Sequence, residues 1–409
     1  MLRFLLLIFS IPALCAGAAE IRFSQESAPG YAVKHSPALA AARLRIDEAR
    51  ARLKQSGRFA NPEIEVELSR NVNAPEGAVG VALSQQFPLT ARLRLEKAVS
   101  RAQLAAAEAE VRDAERKLRA EVGTAMVKLL ALGGQRALRE RQLANSRELS
   151  DFMRQRMSVG EASAVDASSV ELETQILRFD LLQLTAERTA LLGELRAMAG
   201  IRAGDAITID GELAAPGSLS GRLSDPARRP DFNAAQHSAE AAKQSATLAR
   251  AQRWEDIRIG LSVSRERSED APDGFQSDTF AGLRFSLPLP VWDTKVGRIE
   301  EADAAAKRAA LEKDALAFQI RSETATARDA MAALAKIVTE LDGTLLPKSA
   351  QIEKQLRDAY AGGLTPLTEV LRARDRRLAL ERQRLDALRD YHLARVRHRS
   401  ATGQTAFQK

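Results

Sequence analysis

The sequence predicts a mainly α protein with a small β part, in which one plan of helix, hairpin, long helix and returning helix is used twice. Three observations carry this. The chain repeats itself: "SPALAAARLRIDEARARLKQSGRFANPEIEVEL" (36–68) aligns with "RPDFNAAQHSAEAAKQSATLARAQRWEDIRIGL" (229–261), so that Pro37 meets Pro230, Ile64 meets Ile257 and Val66 meets Ile259, each 193 positions on. The apolar period differs between segments, being 2 in short stretches and alternately 3 and 4 in long ones. Each long helical tract is also interrupted once near its far end, at Gly160 in "VGEASAV" and at Gly363 in "YAGGLTPLTEVLRARD", 203 positions apart.

Composition fits long helices. Among 409 residues there are 23 Gly and 14 Pro, and aromatic residues make up 4%. The 61 basic and 54 acidic residues are interspersed, as in "RRLALERQRLDALRD", which describes solvated helix faces with i,i+4 pairs. No cluster of basic and aromatic residues marks a nucleic-acid surface, so no nucleic-acid partner is expected.

The elements follow in order. "MLRFLLLIFSIPALCAGAAE" has Arg3 as a positive n-region, an apolar run from Leu5 to Leu14 too short to span a bilayer, and small residues for cleavage, so 1–19 reads as a secretory signal peptide. Cys15 is the only cysteine. Leu14 stands where a lipoprotein signal needs a small residue, so the expected mature chain is cysteine-free and has no disulfide or thiol chemistry. The first repeat occupies 20–213, with a helix of about 25 residues, strands at about 62–71 and 78–87, a long helix at about 92–159 and a return helix at about 163–200. A Pro/Gly/Ser-rich linker follows at 214–229. The second repeat occupies 230–403, with strands at about 256–266 and 279–289, a long helix at about 295–362 and a return helix at about 366–402; 404–409 is a tail.

The period-2 segments are the hairpins. Ile64, Val66 and Leu68 alternate with Glu63, Glu65 and Glu67; Val79, Val81 and Leu83 alternate with Gly80, Ala82 and Ser84. Ile257, Ile259, Leu261 and Val263 alternate with Arg258, Gly260 and Ser262, and Leu283, Phe285 and Leu287 with Arg284 and Ser286. Each strand thus has one apolar and one polar face, and its length is that of a tilted strand crossing a bilayer. Four strands close no transmembrane barrel and open edges are not tolerated in lipid, so several chains must share one barrel. With the apolar face toward lipid, Glu63, Glu65 and Glu67 line the lumen with Arg258 and Arg284 nearby. Glutamates there favour cations, or serve only as generic lumen polarity.

The long tracts carry a heptad seam. Val170, Leu177, Leu181, Leu184, Leu191, Leu195 and Met198 are one such row, and Val111, Leu118, Val122, Ala125, Leu129 and Leu132 another. At about 1.5 Å per residue the longer tracts reach roughly 100 Å, a length suited to crossing the periplasm.

On these residues the chain resembles the TolC-type outer-membrane efflux channels. The carriers are the duplicated order, "RPD" at Arg229–Asp231, "NPEI" before the first strand, and Tyr360, Gly363, Glu369, Val370, Leu371 and Ala373 within "YAGGLTPLTEVLRARD". "FANPEIEVEL", "FSLPLPVWDTKVGRI" and "LLPKSAQIEKQLRDAYAGGL" look most like the heavy-metal cation branch, the partners of cobalt–zinc–cadmium or copper–silver pumps. The resemblance departs where the first copy lacks a tyrosine before its glycine and where "TARLR" replaces a glycine-rich segment.

The resemblance implies a homotrimeric, 12-stranded outer-membrane β-barrel continued by a long periplasmic α-helical barrel. It implies a periplasmic adaptor and, through it, an inner-membrane pump as partners, with outer-membrane lipid around the strands. The helix breaks then form the adaptor-docking tip, made by Val159, Gly160, Glu161, Ala162 and Ser163 in one copy and Gly362, Gly363, Leu364 and Thr365 in the other. Thr365 reads as an N-cap with Pro366 at N1. Arg357, Asp358 and Tyr360 are candidate gate residues.

No enzyme constellation, nucleotide-binding motif or metal-ligand spacing is present, so neither catalysis nor a cofactor is expected. His35, His237, His392 and His398 are far apart or off one helix face, and the last two read as solvated helix residues. The leading expectation is the outer-membrane exit duct of a tripartite system, passively conducting heavy-metal cations from the periplasm to the outside. The alternatives are the same channel serving drug efflux or type I protein secretion, and a periplasmic coiled-coil scaffold with no channel.

Overall fold

The computed structural model describes residues 20–161, 163–217, 225–270 and 274–404. The expected signal peptide with Cys15, Ala162, part of the linker and most of the tail lie outside the described residues. The elements are β1 (Glu20–Phe23), α1 (Ser27–His35), α2 (Pro37–Gln55), β2 (Glu63–Arg70), β3 (Gly77–Phe87), α3 (Arg92–Ser158), α4 (Ala164–Ala199), β4 (Ala206–Ile209), α5 (Pro230–Ala251), β5 (Ile257–Asp270), β6 (Gly274–Ser286), α6 (Val296–Glu340), α7 (Leu346–Ala361) and α8 (Leu367–Ala401). The fold is mainly helical with small sheets, in the duplicated arrangement the sequence describes.

The hairpins join into one antiparallel sheet in the order β2-β3-β5-β6. The strands of the second hairpin run beyond the expected 266 and begin before the expected 279. Pairing continues from Arg265↔Thr279 to Asp270↔Gly274, because a backbone ladder persists where the side chains turn polar. β6 stops at Ser286 rather than 289, since Pro288 has no N–H for a ladder.

Three further features were not read from the sequence. β1 and β4 form a parallel pair, Glu20↔Ala206 to Phe23↔Ile209. Four residues each are too short for a period to stand out. The first helix is divided, because Pro37 holds Ser36 extended (φ −63°, ψ 121°) and starts α2 at N1. The second long tract is not continuous either. Leu341–Leu345 is a π turn between α6 and α7. Pro347 has no N–H to return to the carbonyl four residues back, and the widened turn accommodates that gap.

The helices pack along the heptad seam. Val122, Leu129 and Leu195 are buried with Met126 and Leu192 in a core that also takes in Phe23, Ala28, Ala32 and Ile207, so β1, β4 and α1 cap the α3–α4 pair. A second cluster, Val338, Leu341, Ala387 and Leu388, joins α6 to α8.

A buried ion network ties the repeats together. The guanidinium of Arg229, 5% exposed, donates to Asp231 (Nη2 to Oδ2 2.5 Å) and to Glu323 (Nη1 to Oε2 2.7 Å). Arg116 of α3 lies 3.7 Å from Asp231 and donates to the Ser400 carbonyl of α8. Burial alone would raise the Asp231 pKa, but Arg229 and Arg116 hold it below the usual carboxylate value. The "RPD" motif thus acts as a clasp between the two copies.

All four long helical tracts close in the same way. The amide two residues past the last turn donates to the carbonyl five back: Glu161 to Arg156 (2.9 Å), Ile201 to Arg196 (3.0 Å), Leu364 to Ala359 (2.9 Å) and Gln404 to Arg399 (3.1 Å). The residue between is a glycine at positive φ, namely Gly160, Gly200, Gly363 and Gly403, which is the Schellman arrangement. At Gly200 (φ 66°) a Cβ would also lie 2.4 Å from the His35 carbonyl oxygen. Gly200→Ala is expected to cost at least about 1–3 kcal/mol through backbone strain alone. An unchanged thermal melt followed by circular dichroism would show that this close approach does not exist.

Candidate functional site: sheet faces and helix tips

The register decides what each sheet face carries. One face bears the rows Ile64–Leu83–Leu261–Leu283 and Val66–Val81–Val263–Ala281. All but Ala281 are large apolar side chains, and they are exposed, Leu283 at 75%. The other face bears Glu63–Ser84–Gly260–Arg284, then Glu65–Ala82–Ser262–Gly282, then Glu67–Gly80–Ser264–Phe280. The five sequence-predicted lumen residues therefore share one face. Arg258 Nη1 lies 3.5 Å from Glu63 Oε2, and Glu65, Arg258 and Arg284 line one concave recess. Small residues dominate this face, as inward curvature requires.

Ion pairs that the sequence reading missed hold the base of the sheet to the helices. Arg92, at the start of α3, donates to both carboxylate oxygens of Asp256 (3.2 and 2.5 Å) and to Glu96 (2.6 Å). Lys295 Nζ reaches the Gln252 carbonyl at 3.0 Å and Glu255 at 3.1 Å. Arg92 and Asp256 are 164 positions apart, and no local pattern reveals such a pair. At the helix end of the sheet, Phe59 and Phe87, the last residue of β3, meet edge to face at 6.4 Å, and Trp292 beyond β6 is 96% exposed. Aromatic residues in this position flank an apolar band as in membrane barrels.

The far ends of the helices form two exposed tips. In the first, Gly160 (φ 80°) ends α3, and Ser163 opens α4 with its hydroxyl accepting from the Val165 amide at 3.2 Å. Glu161 lies 3.5 Å from Arg156. In the second, Gly363 (φ 72°) follows Gly362, whose amide donates to the Asp358 carbonyl at 3.2 Å. Val159 and Leu364 stand free at 67% and 85% exposure. Thr365 is not the N-cap. Pro366 takes that place with extended backbone (ψ 153°), and no side chain caps α8; proline lies one residue outside the helix because its ψ is not helical. A Cβ on Gly160 or Gly363 would meet nothing within 4 Å, so backbone conformation alone selects glycine there.

The candidate gate residues are placed differently from one another. Arg357 Nη2 donates to Glu353 Oε1 at 2.6 Å, and Arg377 of α8 donates to Glu353 Oε2 at 3.0 Å. Arg377 also reaches Glu381, which lies 3.7 Å from Arg141 of α3. Glu353, 5% exposed, is the hub of this network and was missed; its spacing of four from Arg357 was the available signal. Asp358 and Tyr360 contribute main-chain carbonyls to the helix end, and their side chains are not brought together with Arg357 in it.

The histidine reading needs correction. His392 is 1% exposed and its Nε2 lies 2.9 Å from the Ala214 carbonyl oxygen. His398 is partly buried, with Nε2 among the buried atoms lacking a hydrogen-bond partner. Burial pushes both pKa values down, with Arg395 and Arg399 adding to it at His392 and Arg328 and Arg399 at His398. These rings are packing elements between helices and not solvated side chains. Among the described residues no group of three or more His, Cys, Asp or Glu is arranged to hold a metal ion.

A sheet with one lipid-suited face and two open edges, continued by paired helices of great length, suits a membrane channel. The family comparison agrees: the model of the outer membrane efflux proteins matches residues 28–201 and again 226–404. The chain belongs to this family and is an outer-membrane efflux channel of tripartite systems, not an enzyme. Similar solved structures include CusC, whose crystal structures concern folding and transmembrane channel formation (17% identity, 95% of each chain covered, TM-score 0.76). VceC of Vibrio cholerae (20% identity, 92% and 95% covered, TM-score 0.74) and the open state of MtrE of Neisseria gonorrhoeae (17%, 93% and 88%, TM-score 0.73) are also similar. No curated protein sequence matches the chain significantly. Among the described residues no helix is long and apolar enough to cross a membrane.

Proposed function

We propose that the working unit is a homotrimer whose three sheets form one 12-stranded barrel. The open edges of the sheet carry this reading. β2 and β6 are each paired on one side only and run in opposite directions. β6 of one copy therefore meets β2 of the next antiparallel, and no unpaired edge faces lipid. Two copies give 4 × 2 = 8 strands, whose interior is filled by side chains; three give 4 × 3 = 12 and leave room for a lumen. Light scattering of the detergent-solubilised protein is expected to give three chains per particle. A monodisperse monomer or dimer overturns the reading.

In this trimer the helix tips dock a periplasmic adaptor that links the duct to an inner-membrane pump. The duct conducts passively, and Arg357, Asp358 and Tyr360 stand beside the closure at its periplasmic end. Its cargo is heavy-metal cations. The glutamates on the inner sheet face and the resemblance of "FANPEIEVEL" and "FSLPLPVWDTKVGRI" to the heavy-metal branch support this cargo. Deleting the chain is expected to lower cellular tolerance to divalent or monovalent transition-metal ions and to leave drug tolerance and polypeptide secretion intact. The opposite pattern moves the cargo to drugs or secreted proteins.

A further inference from the structure

The apolar face of the sheet changes character toward the hairpin turns. From the helix end its rows read Phe87–Ile257, then Gln85–Ile259–Phe285, then the two rows centred on Leu261 and Val263. Gln85 is no exception to the apolar character, since its amide is spent on the Ala60 carbonyl at 2.7 Å. The next row carries Arg265 beside Val79 and Thr279, and the one after it carries Arg70 and Arg267 on either side of Gly77. Arg265 and Arg267 lie 8 and 10 residues beyond Ile257. At about 3.3 Å per residue and a strand tilt near 40°, that is roughly 20 and 25 Å above the first apolar row. The apolar band of such barrels is about 25 Å tall, so the arginines stand at its outer boundary.

These three side chains are exposed, and none forms an ion pair with a described residue. Arg267 is held in place by the Phe275 ring, 5.3 Å from its guanidinium carbon. Of the nearby carboxylates, Glu269 lies a row further out, and Glu76 is engaged by Asn71 Nδ2 at 2.8 Å and the Glu269 amide at 3.3 Å. Arg258 of the inner face differs in this respect, for it lies 3.5 Å from Glu63. The strand rows at the helix end of the outer face carry no charge, and Phe87 there and Leu289, Val291 and Trp292 beyond β6 are exposed. At this boundary an arginine facing lipid costs little, and an anion at the same depth can pair with it through charge-assisted hydrogen bonds.

We propose that Arg70, Arg265 and Arg267 form a site for the phosphorylated headgroup of an outer-leaflet lipid. This rests on the barrel reading above. The planar guanidinium fork matches phosphate oxygens two at a time, and it does so at the depth where headgroup phosphates lie. Three such forks within two adjacent rows suit a headgroup with more than one phosphate. The surrounding Val79, Leu68 and Phe275 would take the acyl or sugar edge of the same molecule.

The test uses the full-length protein in non-ionic detergent with three probes: bisphosphorylated lipid A, the same lipid with both phosphates removed, and inorganic phosphate. Native mass spectrometry is expected to show the bisphosphorylated lipid retained at least about tenfold more tightly than its dephosphorylated form. Millimolar inorganic phosphate is expected not to displace it. The combined Arg70→Gln, Arg265→Gln and Arg267→Gln variant is expected to lose the preference, the corresponding triple Lys variant to keep most of it, and Glu65→Gln to keep all of it. If the triple Gln variant does not assemble, Arg267→Gln alone must reduce the preference in assembled protein. An unchanged preference in either Gln variant, no preference in the wild type, or displacement by inorganic phosphate overturns the lipid site. Insertion of the wild type into phospholipid vesicles, scored by protease protection of the hairpins, is measured alongside. Loss of insertion overturns the barrel reading, whereas insertion without phosphate preference overturns only the lipid site.

Discussion

Arginine at Leu283 will deplete the outer membrane of assembled protein. Leu283 is in the middle apolar row, opposite Leu261, and is 75% exposed in the single chain. A cation there meets the hydrocarbon midplane at about 2–4 kcal/mol per chain, and a trimer carries the penalty at three places. Val66→Arg, one row further along on β2, is expected to act alike. Glu65→Gln, on the opposite face beside Ala82, removes a charge from a wet surface and is expected to leave the yield near that of the wild type. The measurement is the amount of heat-resistant trimer in the outer-membrane fraction. Equal loss from Leu283→Arg and Glu65→Gln would mean that the faces have been assigned the wrong way round.

Gly363→Val and Leu364→Asp are expected to abolish efflux while leaving trimer yield unchanged. Valine at φ 72° is strained by about 1–3 kcal/mol whatever space surrounds it. The Leu364 amide closes the helix end onto Ala359, and its side chain is 85% exposed, so an aspartate there leaves the core intact but changes the surface offered to a partner. The helical tract 296–361, made of α6, the π turn and α7, separates this tip from the sheet by about 100 Å, too far for the strain to reach the barrel. Tolerance assays in cells are paired with crosslinking from Thr365→Cys, the only other cysteine being Cys15. Full tolerance in both variants, or crosslinks that never reach a periplasmic adaptor, would remove these tips from the docking role.

Much of this was legible because it repeats. The alternation of Ile64, Val66 and Leu68 with glutamates gave both the strand and its two faces, since a period of two has one geometric meaning. The glycines at 160 and 363 marked the tips because left-handed backbone is cheap only for glycine. What stayed hidden was tertiary. Arg92 and Asp256, or Arg116 and Asp231, are partners only once the helices are packed. His392 looked solvated among Arg389, Arg395 and Arg399, yet its ring turns inward to the Ala214 carbonyl. The π turn at Leu341–Leu345 was missed because the tract from about 295 to 362 read as one helix, and Pro347 alone hinted at the break. Thr365 misled for a related reason: Ser/Thr before proline fits a cap by composition, but the cap depends on a ψ angle that sequence does not print.

The two tips share one backbone closure but differ in the residue just beyond the glycine, which is Glu161 in one and Leu364 in the other. In a trimer the periplasmic mouth is therefore ringed by six near-equivalent knuckles that alternate in character, acidic and apolar. The backbone presents a pseudo-sixfold ring and the side chains reduce it to a true threefold one. A ring of identical partner subunits contacting every knuckle would have to bind in two distinct ways, with unequal affinities and unequal sensitivity to salt. The contacts at Glu161 would respond to ionic strength, and those at Leu364 would hardly do so.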